Sequence, residues 1–167
     1  FTDMPSYTNW AHEGLDYCIQ NGIMSGTSAT TIAPNVVTTR AQLVEMLYCQ
    51  AGSPKATKAS PFTDLTDSWY VDAVNWAAEK GVVSGTSATT FSPNAPVTRQ
   101  DMATILYNYA KNVLDLDVFD TADLTGYPDY SSISGYARTA MSWAVAQGLI
   151  CGADNGMGVV TLQPKGD

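Results

Sequence analysis

Charge is scarce in this chain, and positive charge scarcest of all: 14% of its 167 residues are charged, with eight Lys and Arg against sixteen Asp and Glu. A net charge of -8 opposes the basic footprint of a nucleic-acid binder, which excludes DNA and RNA as partners. Apolar runs are short as well. None approaches the roughly 18 residues of a membrane span, so no membrane insertion is expected. Cysteine is limited to Cys18, Cys49 and Cys151, an odd and widely spaced set that fits neither a disulfide framework nor a zinc site. The three read as buried free thiols, with a Cys18–Cys49 bridge as the alternative. The single histidine, His12, has no counterpart elsewhere in the pattern described below and is expected at the surface. No charged segment followed by an apolar stretch precedes Phe1, so any targeting signal was removed or lies outside these residues. What remains is 45% apolar residues, enough for a chain of this length to bury a core without disulfides or a metal.

The chain repeats itself. Gly22-Ile-Met-Ser-Gly-Thr-Ser-Ala-Thr-Thr-Ile-Ala-Pro-Asn35 lies over Gly81-Val-Val-Ser-Gly-Thr-Ser-Ala-Thr-Thr-Phe-Ser-Pro-Asn94 at an offset of 59, with ten identities in fourteen positions, where average residue usage gives about one. The same offset pairs Trp10 with Trp69, Tyr17 with Trp76 and Thr39-Arg40 with Thr98-Arg99; Phe1-Thr-Asp3 matches Phe62-Thr-Asp64 after a two-residue gap. A weaker third copy starts near Tyr127-Pro-Asp129, passes through Tyr136, Trp143 and Gly148-Leu-Ile-Cys-Gly152, and reaches Leu162-Gln-Pro164 without a second helix. The repeats therefore fall at 1–52, 62–113 and 127–167. A helix pair cannot bury its apolar face alone, so the three copies are expected to share one core.

Each copy reads as helix, loop, helix. Trp69, Ala73, Trp76 and Ala77 recur at helical spacing, and Gly81 stands where a left-handed cap would end the helix. The Ser/Thr/Gly run that follows is turn-forming and ends on one apolar anchor, Phe91, before Pro93-Asn-Ala-Pro96. The second helix carries Met102, Ile105, Leu106, Tyr109 and Val113 on one face, and Leu43, Met46, Leu47 and Ala51 do the same in copy one. Linkers fall at 52–61 and along the acidic stretch 115–126. In that stretch Asp115, Asp117, Asp120 and Asp123 lack the Gly and terminal Glu of a calcium loop and read as a solvated linker.

The second-helix starts carry the most informative residues. Thr39-Arg-Ala-Gln42 fits a capping box, and Thr98-Arg-Gln-Asp101 is a version with a shorter arm. Arg40 and Arg99 are harder to explain, because a cation in the first turn faces the positive end of the macrodipole. One reading is an anion site built from free amides and a guanidinium fork. The other is an ion pair with Asp3, Asp64 or Asp72 that ties repeats together. Trp10, Trp69 and Tyr136 divide in the same way between sugar stacking and packing, and core packing is expected for Trp76 and Trp143. The Gly-x-x-x-Gly segments lack the spacing of a nucleophile elbow, and no carboxylate pair is singled out for glycoside hydrolysis. The chain is thus expected to carry no catalytic residue, metal or cofactor.

The order of Phe-x-Asp, an aromatic first helix, Gly-hydrophobic-hydrophobic-x-Gly, aromatic-x-Pro and Thr-Arg-Ala-Gln42 resembles S-layer homology repeats over nearly the whole chain. The resemblance implies an all-α fold, a pseudo-threefold spindle around a shared helical bundle with ligand grooves between copies. It also implies noncatalytic anchoring of an exported protein, outside a bacterial cell, to an acidic and often pyruvylated polysaccharide attached to peptidoglycan. On that analogy Arg40 and Arg99 would meet the acidic group, and Trp10 or Trp69 would stack on sugar. Gly26 and Gly85 would permit close approach, and Asp3, Asp64, Thr39 and Thr98 complete the site. The alternatives are a self-assembly module of a surface lattice, associating through the incomplete third repeat, and a wall-glycan hydrolase domain.

Overall fold

The computed structural model describes residues 1–154, 156 and 158–166; positions 155 and 157 of the expected long third loop, and residue 167 at the end of the third repeat, lie outside them. Five helices carry the fold: α1 (His12–Gln20), α2 (Arg40–Gln50), α3 (Ser68–Glu79), α4 (Arg99–Asn112) and α5 (Arg138–Ala146). The third loop departs from its two counterparts by forming a small antiparallel hairpin, β1 (Ala153–Asp154) with β2 (Val160–Thr161). No described helix is long and apolar enough to cross a membrane.

Helix boundaries follow the sequence signals. The first helices stop at Gly22, Gly81 and Gly148, all left-handed (φ 68°, 67° and 69°), a conformation that only glycine adopts without strain. The capping box at α2 is complete: the Thr39 hydroxyl accepts from Gln42 N and the Gln42 side chain accepts from Thr39 N. At α4 the Thr98 hydroxyl accepts from Asp101 N, but the Asp101 carboxylate turns away to another partner.

Packing runs between repeats. The second helix of one copy lies on the first helix of the next, α2 on α3 and α4 on α5, whereas no comparable helix covers α1 among the described residues. The expected single core is two adjoining clusters. One gathers Leu43, Val44, Tyr70, Trp76, Val82 and Phe91 around α2 and α3; the other gathers Ile133, Met141, Trp143, Ile150 and Leu162 around α5. Met102 and Leu106 of α4 touch both. The acidic linker is more than a solvated tether, since Val118 and Leu124 are buried in the second cluster. Asp117 and Asp123 accept from the local amides of Phe119 and Thr125.

Two further expectations need correction. His12 is buried, its Nδ1 within 2.7 Å of the Pro5 carbonyl and its ring against Tyr7, so the N-terminal segment folds back over it. All three thiols are free, but only Cys18 and Cys49 are half-buried; Cys151 is exposed.

One device recurs in every copy. Asp3 accepts from the amides of Ile32 and Ala33 (2.9 and 2.7 Å), Asp64 from Phe91 and Ser92 (2.9 and 2.7 Å), and Asp129 from Leu162 and Gln163 (3.0 and 2.7 Å). The second amide in each pair belongs to a non-glycine residue held left-handed, Ala33, Ser92 or Gln163 (φ 53°, 59° and 48°). Such backbone persists only when its surroundings over-determine it, and here a bidentate carboxylate does so.

Burial pushes the Asp64 carboxyl up, but the Phe91 and Ser92 amides and the Arg40 charge outweigh it, leaving its pKa below the ordinary value. The Ile32 and Ala33 amides likewise hold Asp3 low. A carboxyl depressed on folding gives stability above its unfolded pKa near 4, and that stability disappears as pH falls through the depressed value. Acid titration followed by circular dichroism is therefore expected to show stability falling below about pH 4. Asp64→Asn should remove that dependence in part and cost about 1 to 2 kcal/mol in urea unfolding at neutral pH, because its amide opposes the Ser92 N–H.

Candidate functional site

The second-helix starts are built as junctions rather than open ends. Arg40 N donates to Ala95 O (3.0 Å) and Ala41 N to Pro93 O (3.0 Å); one repeat on, Arg99 N donates to Gly166 O (2.7 Å) and Gln100 N to Pro164 O (2.9 Å). Amides expected to be free for an anion are thus taken by carbonyls of the following copy's loop. The guanidiniums do the same. Arg40 donates through Nε to Phe91 O (3.0 Å) and through Nη2 to Ser84 O (2.9 Å), and Arg99 through Nε to Leu162 O (2.9 Å) and Nη2 to Cys151 O (2.7 Å). Two amides and one planar fork converge on four carbonyls at each junction. Their negative ends offset the cost of a cation at a helix start.

The two arginines differ in what lies beyond. Arg40 is buried, sits over the Phe91 ring at 4.8 Å and has its Nη1 4.0 Å from Asp101 Oδ2, so its carboxylate partner is Asp101 rather than Asp3, Asp64 or Asp72. Burial pulls its pKa down, and the charges of Asp101 and Asp64 pull it back up. Arg99 is half-buried, and no carboxylate lies within ion-pair distance of it among the described residues.

Around Asp101 lies a network that the capping pattern did not reveal. The Tyr136 hydroxyl donates to Asp101 Oδ1 (2.5 Å), Gln100 Nε2 donates to Tyr136 and Ser134, and Ser134 N donates to Gln100 Oε1. Burial and then the Asp101 carboxylate push the Tyr136 phenol up to about 12, so it stays protonated. The clue in the sequence was the departure of Asp101 from the longer capping residue at Gln42.

The remaining candidates separate cleanly. Asp3 and Asp64 are spent on their own loops. Gly26 and Gly85 do permit close approach, but of the protein to itself: a Cβ would stand 2.6 Å from the Phe1 ring at Gly26 and 2.6 Å from the Phe62 ring at Gly85. Thr39 and Thr98 cap helices. Trp76 and Trp143 are in the core. Trp10, Trp69 and Tyr136, at equivalent positions in or just before the start of the first helices, are 94%, 50% and 62% exposed. A groove of about 620 Å³ runs beside Trp69 along the loop of copy one and the inner face of α2; Glu45 is the one charged residue in its lining.

A family model described as S-layer homology domain matches residues 1–44, 61–103 and 126–166. An endoglucanase of Bacillus sp. (strain KSM-635) is 33% identical over 99% of this chain, and the surface-layer 125 kDa protein of Lysinibacillus sphaericus is 28% identical over 98% of it. The amylopullulanase of Thermoanaerobacterium thermosulfurigenes is 27% identical over 95%. The chain spans 17%, 13% and 8% of the lengths of these three relatives, so the enzymes among them share with it only a small part of themselves.

Replacing Arg40 by Ala should destabilise the protein by about 2 to 4 kcal/mol, because the buried Phe91 carbonyl, the Ser84 carbonyl and the helix start lose a charged donor together. Arg40→Lys should recover less than half, since a point charge cannot serve Phe91 O and Ser84 O as a fork does. Urea unfolding of both variants measures this; a silent Arg40→Ala would remove the junction from the list of stabilising contacts.

Proposed function

The chain belongs to the S-layer homology family, and from that premise we propose that it is a noncatalytic anchoring module, holding an exported protein to polysaccharide of a bacterial cell wall. The observation that carries this reading is the repeated exposure of Trp10, Trp69 and Tyr136, while their helix neighbours Tyr70 and Ala137 are fully buried. One exposed ring would be ordinary, but a large aromatic at the surface at the same place in three copies is a repeated feature that a shared ligand contact accounts for. A flat ring suits the apolar face of a sugar, and three such rings on one rigid scaffold provide separate contacts along one chain molecule. The names of the relatives, a surface-layer protein beside polysaccharide-degrading enzymes, support a module that travels with different cargo outside the cell.

An acidic substituent on the polymer, such as a pyruvyl group, is the finer part of this reading. Arg99 is its best counterpart, because Arg40 is buried against Asp101. Since the net charge of -8 repels an anionic polymer at long range, binding rests on contacts shorter than the Debye length.

Trp69→Ala and Trp10→Ala should each weaken retention on purified wall polysaccharide by about 1 to 3 kcal/mol while changing the melting temperature little. Full retention by the double variant would sink the anchoring site proposed here. Polymer stripped of acidic substituents should bind about tenfold more weakly if Arg99 meets them. Equal binding would discard the acidic contact and leave the anchor standing.

A further inference from the structure

The linker between the first two copies is tied down at two points on α3. Thr57 N and Oγ1 donate to the two carboxylate oxygens of Glu79 (both 2.7 Å), and Ser60 N donates to Asn75 Oδ1 (2.8 Å). The Thr57 hydrogen bonds hold the Glu79 carboxyl below its ordinary pKa, with help from the charges of Lys80 and Lys58. Ala56, just before Thr57, packs against the first core cluster. The linker is thus a fixed wall rather than a loose tether. Together with α2 and α3 it lines an open cavity of about 450 Å³, within the roughly 300 to 1,000 Å³ usual for small-molecule sites.

The polar groups of this cavity are unspent. Lys55 and Lys58 come from the linker, Asp72 and Asn75 from α3, and Tyr48 from the end of α2. Lys55, Lys58 and Asp72 line one cavity, yet their side chains make no hydrogen bond or ion pair with a described residue. Asn75 keeps its Nδ2 free, since Ser60 uses only Oδ1. The Tyr48 ring leans on Trp76 (5.5 Å between centroids), and burial, then the charges of Asp72 and Glu45, raise its phenol pKa, so the hydroxyl remains a donor. Two of the chain's eight cations therefore line one cavity, in a molecule whose junction arginines are engaged elsewhere.

Charge and hydrogen bonding together narrow the ligand. Two ammonium groups call for an anion. Asp72 repels an anion at its own position and accepts from hydroxyls instead, so the fitting molecule has an acid at one end and hydroxyl donors at the other. A bare inorganic anion meets only the first demand, and a neutral sugar only the second. We propose that the cavity is a ligand site for a sugar-sized hydroxylated acid: Lys55 and Lys58 take its carboxylate, and Asp72, Asn75 and Tyr48 take its hydroxyls. The site is peculiar to the first linker, because the stretch 115–126 has four Asp and no Lys or Arg. It also lies apart from the rings of the anchoring reading, since none of Trp10, Trp69 and Tyr136 lines it, and either reading can fail alone.

D-Glucuronate is the probe, titrated into the 167-residue chain and followed by backbone amide chemical shifts, with D-glucose and inorganic phosphate as controls. Glucuronate should shift the Thr57, Lys58 and Ala59 amides saturably, and added salt should weaken it, because both lysines are exposed. Glucose and phosphate should each bind at least about tenfold more weakly, since each lacks one of the two sets of contacts. Replacing Lys55 and Lys58 together by alanine should weaken glucuronate at least about tenfold as well, and should leave the urea midpoint unchanged. The Trp10→Ala, Trp69→Ala double variant should bind glucuronate as the parent chain does, which separates this site from retention on wall polysaccharide. Phosphate binding as tight as that of glucuronate overturns the proposal, because the lysines then read charge alone. So does the absence of saturable shifts at these amides, or a glucuronate affinity that survives the loss of both lysines.

Discussion

Everything in this molecule hangs on a donation from one repeat to the next. A helix start has amides to satisfy, and a loop that doubles back has carbonyls to satisfy; each half is left with unpaired backbone when alone. Arg40 and Arg99 join them, and the helices that they open carry Val44 and Leu47, or Ala103 and Ala110, into the clusters beside the next copy's first helix. The junction decides which helix packs on which, and the apolar contact follows from it.

The junction works only if the accepting loop is rigid, and that rigidity has its own source. Asp3, Asp64 and Asp129 each hold two successive loop amides, which fixes a left-handed residue that would otherwise relax. The amides of Phe91 and Leu162 face these carboxylates while their carbonyls face the arginines. One peptide segment is therefore clamped from both sides, by its own repeat's acid and by the previous repeat's base. The Phe1 and Phe62 rings lie over Gly26 and Gly85 at the other end of the loop.

How much of this was legible depends on what kind of group carried each contact. The duplication at offset 59, the glycine stops and the Thr39 cap rest on side chains or on glycine itself, so the letters announce them. The partners of Arg40 and Arg99 are backbone carbonyls 44 to 63 residues away. Every residue has a carbonyl, and no residue type marks one as an acceptor, which is why carboxylates such as Asp64 looked like the natural partners. Asp64 was singled out by its place in Phe-Thr-Asp64, yet its role as a loop clip depends on the φ of Ser92, which a serine does not advertise. The burial of His12 was hidden for a related reason, since Pro5 O and the Tyr7 ring cover it through a fold-back with no parallel in the other copies.

Cation supply then constrains where a ligand can act. Only eight Lys and Arg are present, and the two at the repeat junctions are engaged with the protein's own backbone. A surface with so few free cations cannot hold a long anionic polymer by counterion-like pairing along its length, and its overall field acts against approach. Exposed rings are not subject to that limit, because stacking on a sugar face does not depend on net charge and is little weakened by salt. Trp69 in the first turn of α3 and Tyr136 just before α5 belong to segments that pack on α2 and α4, so their positions depend on the junctions that Arg40 and Arg99 make. On the anchoring proposal, the junction arginines help determine where these two aromatic residues stand, and the rings carry the part of the contact that net charge does not oppose.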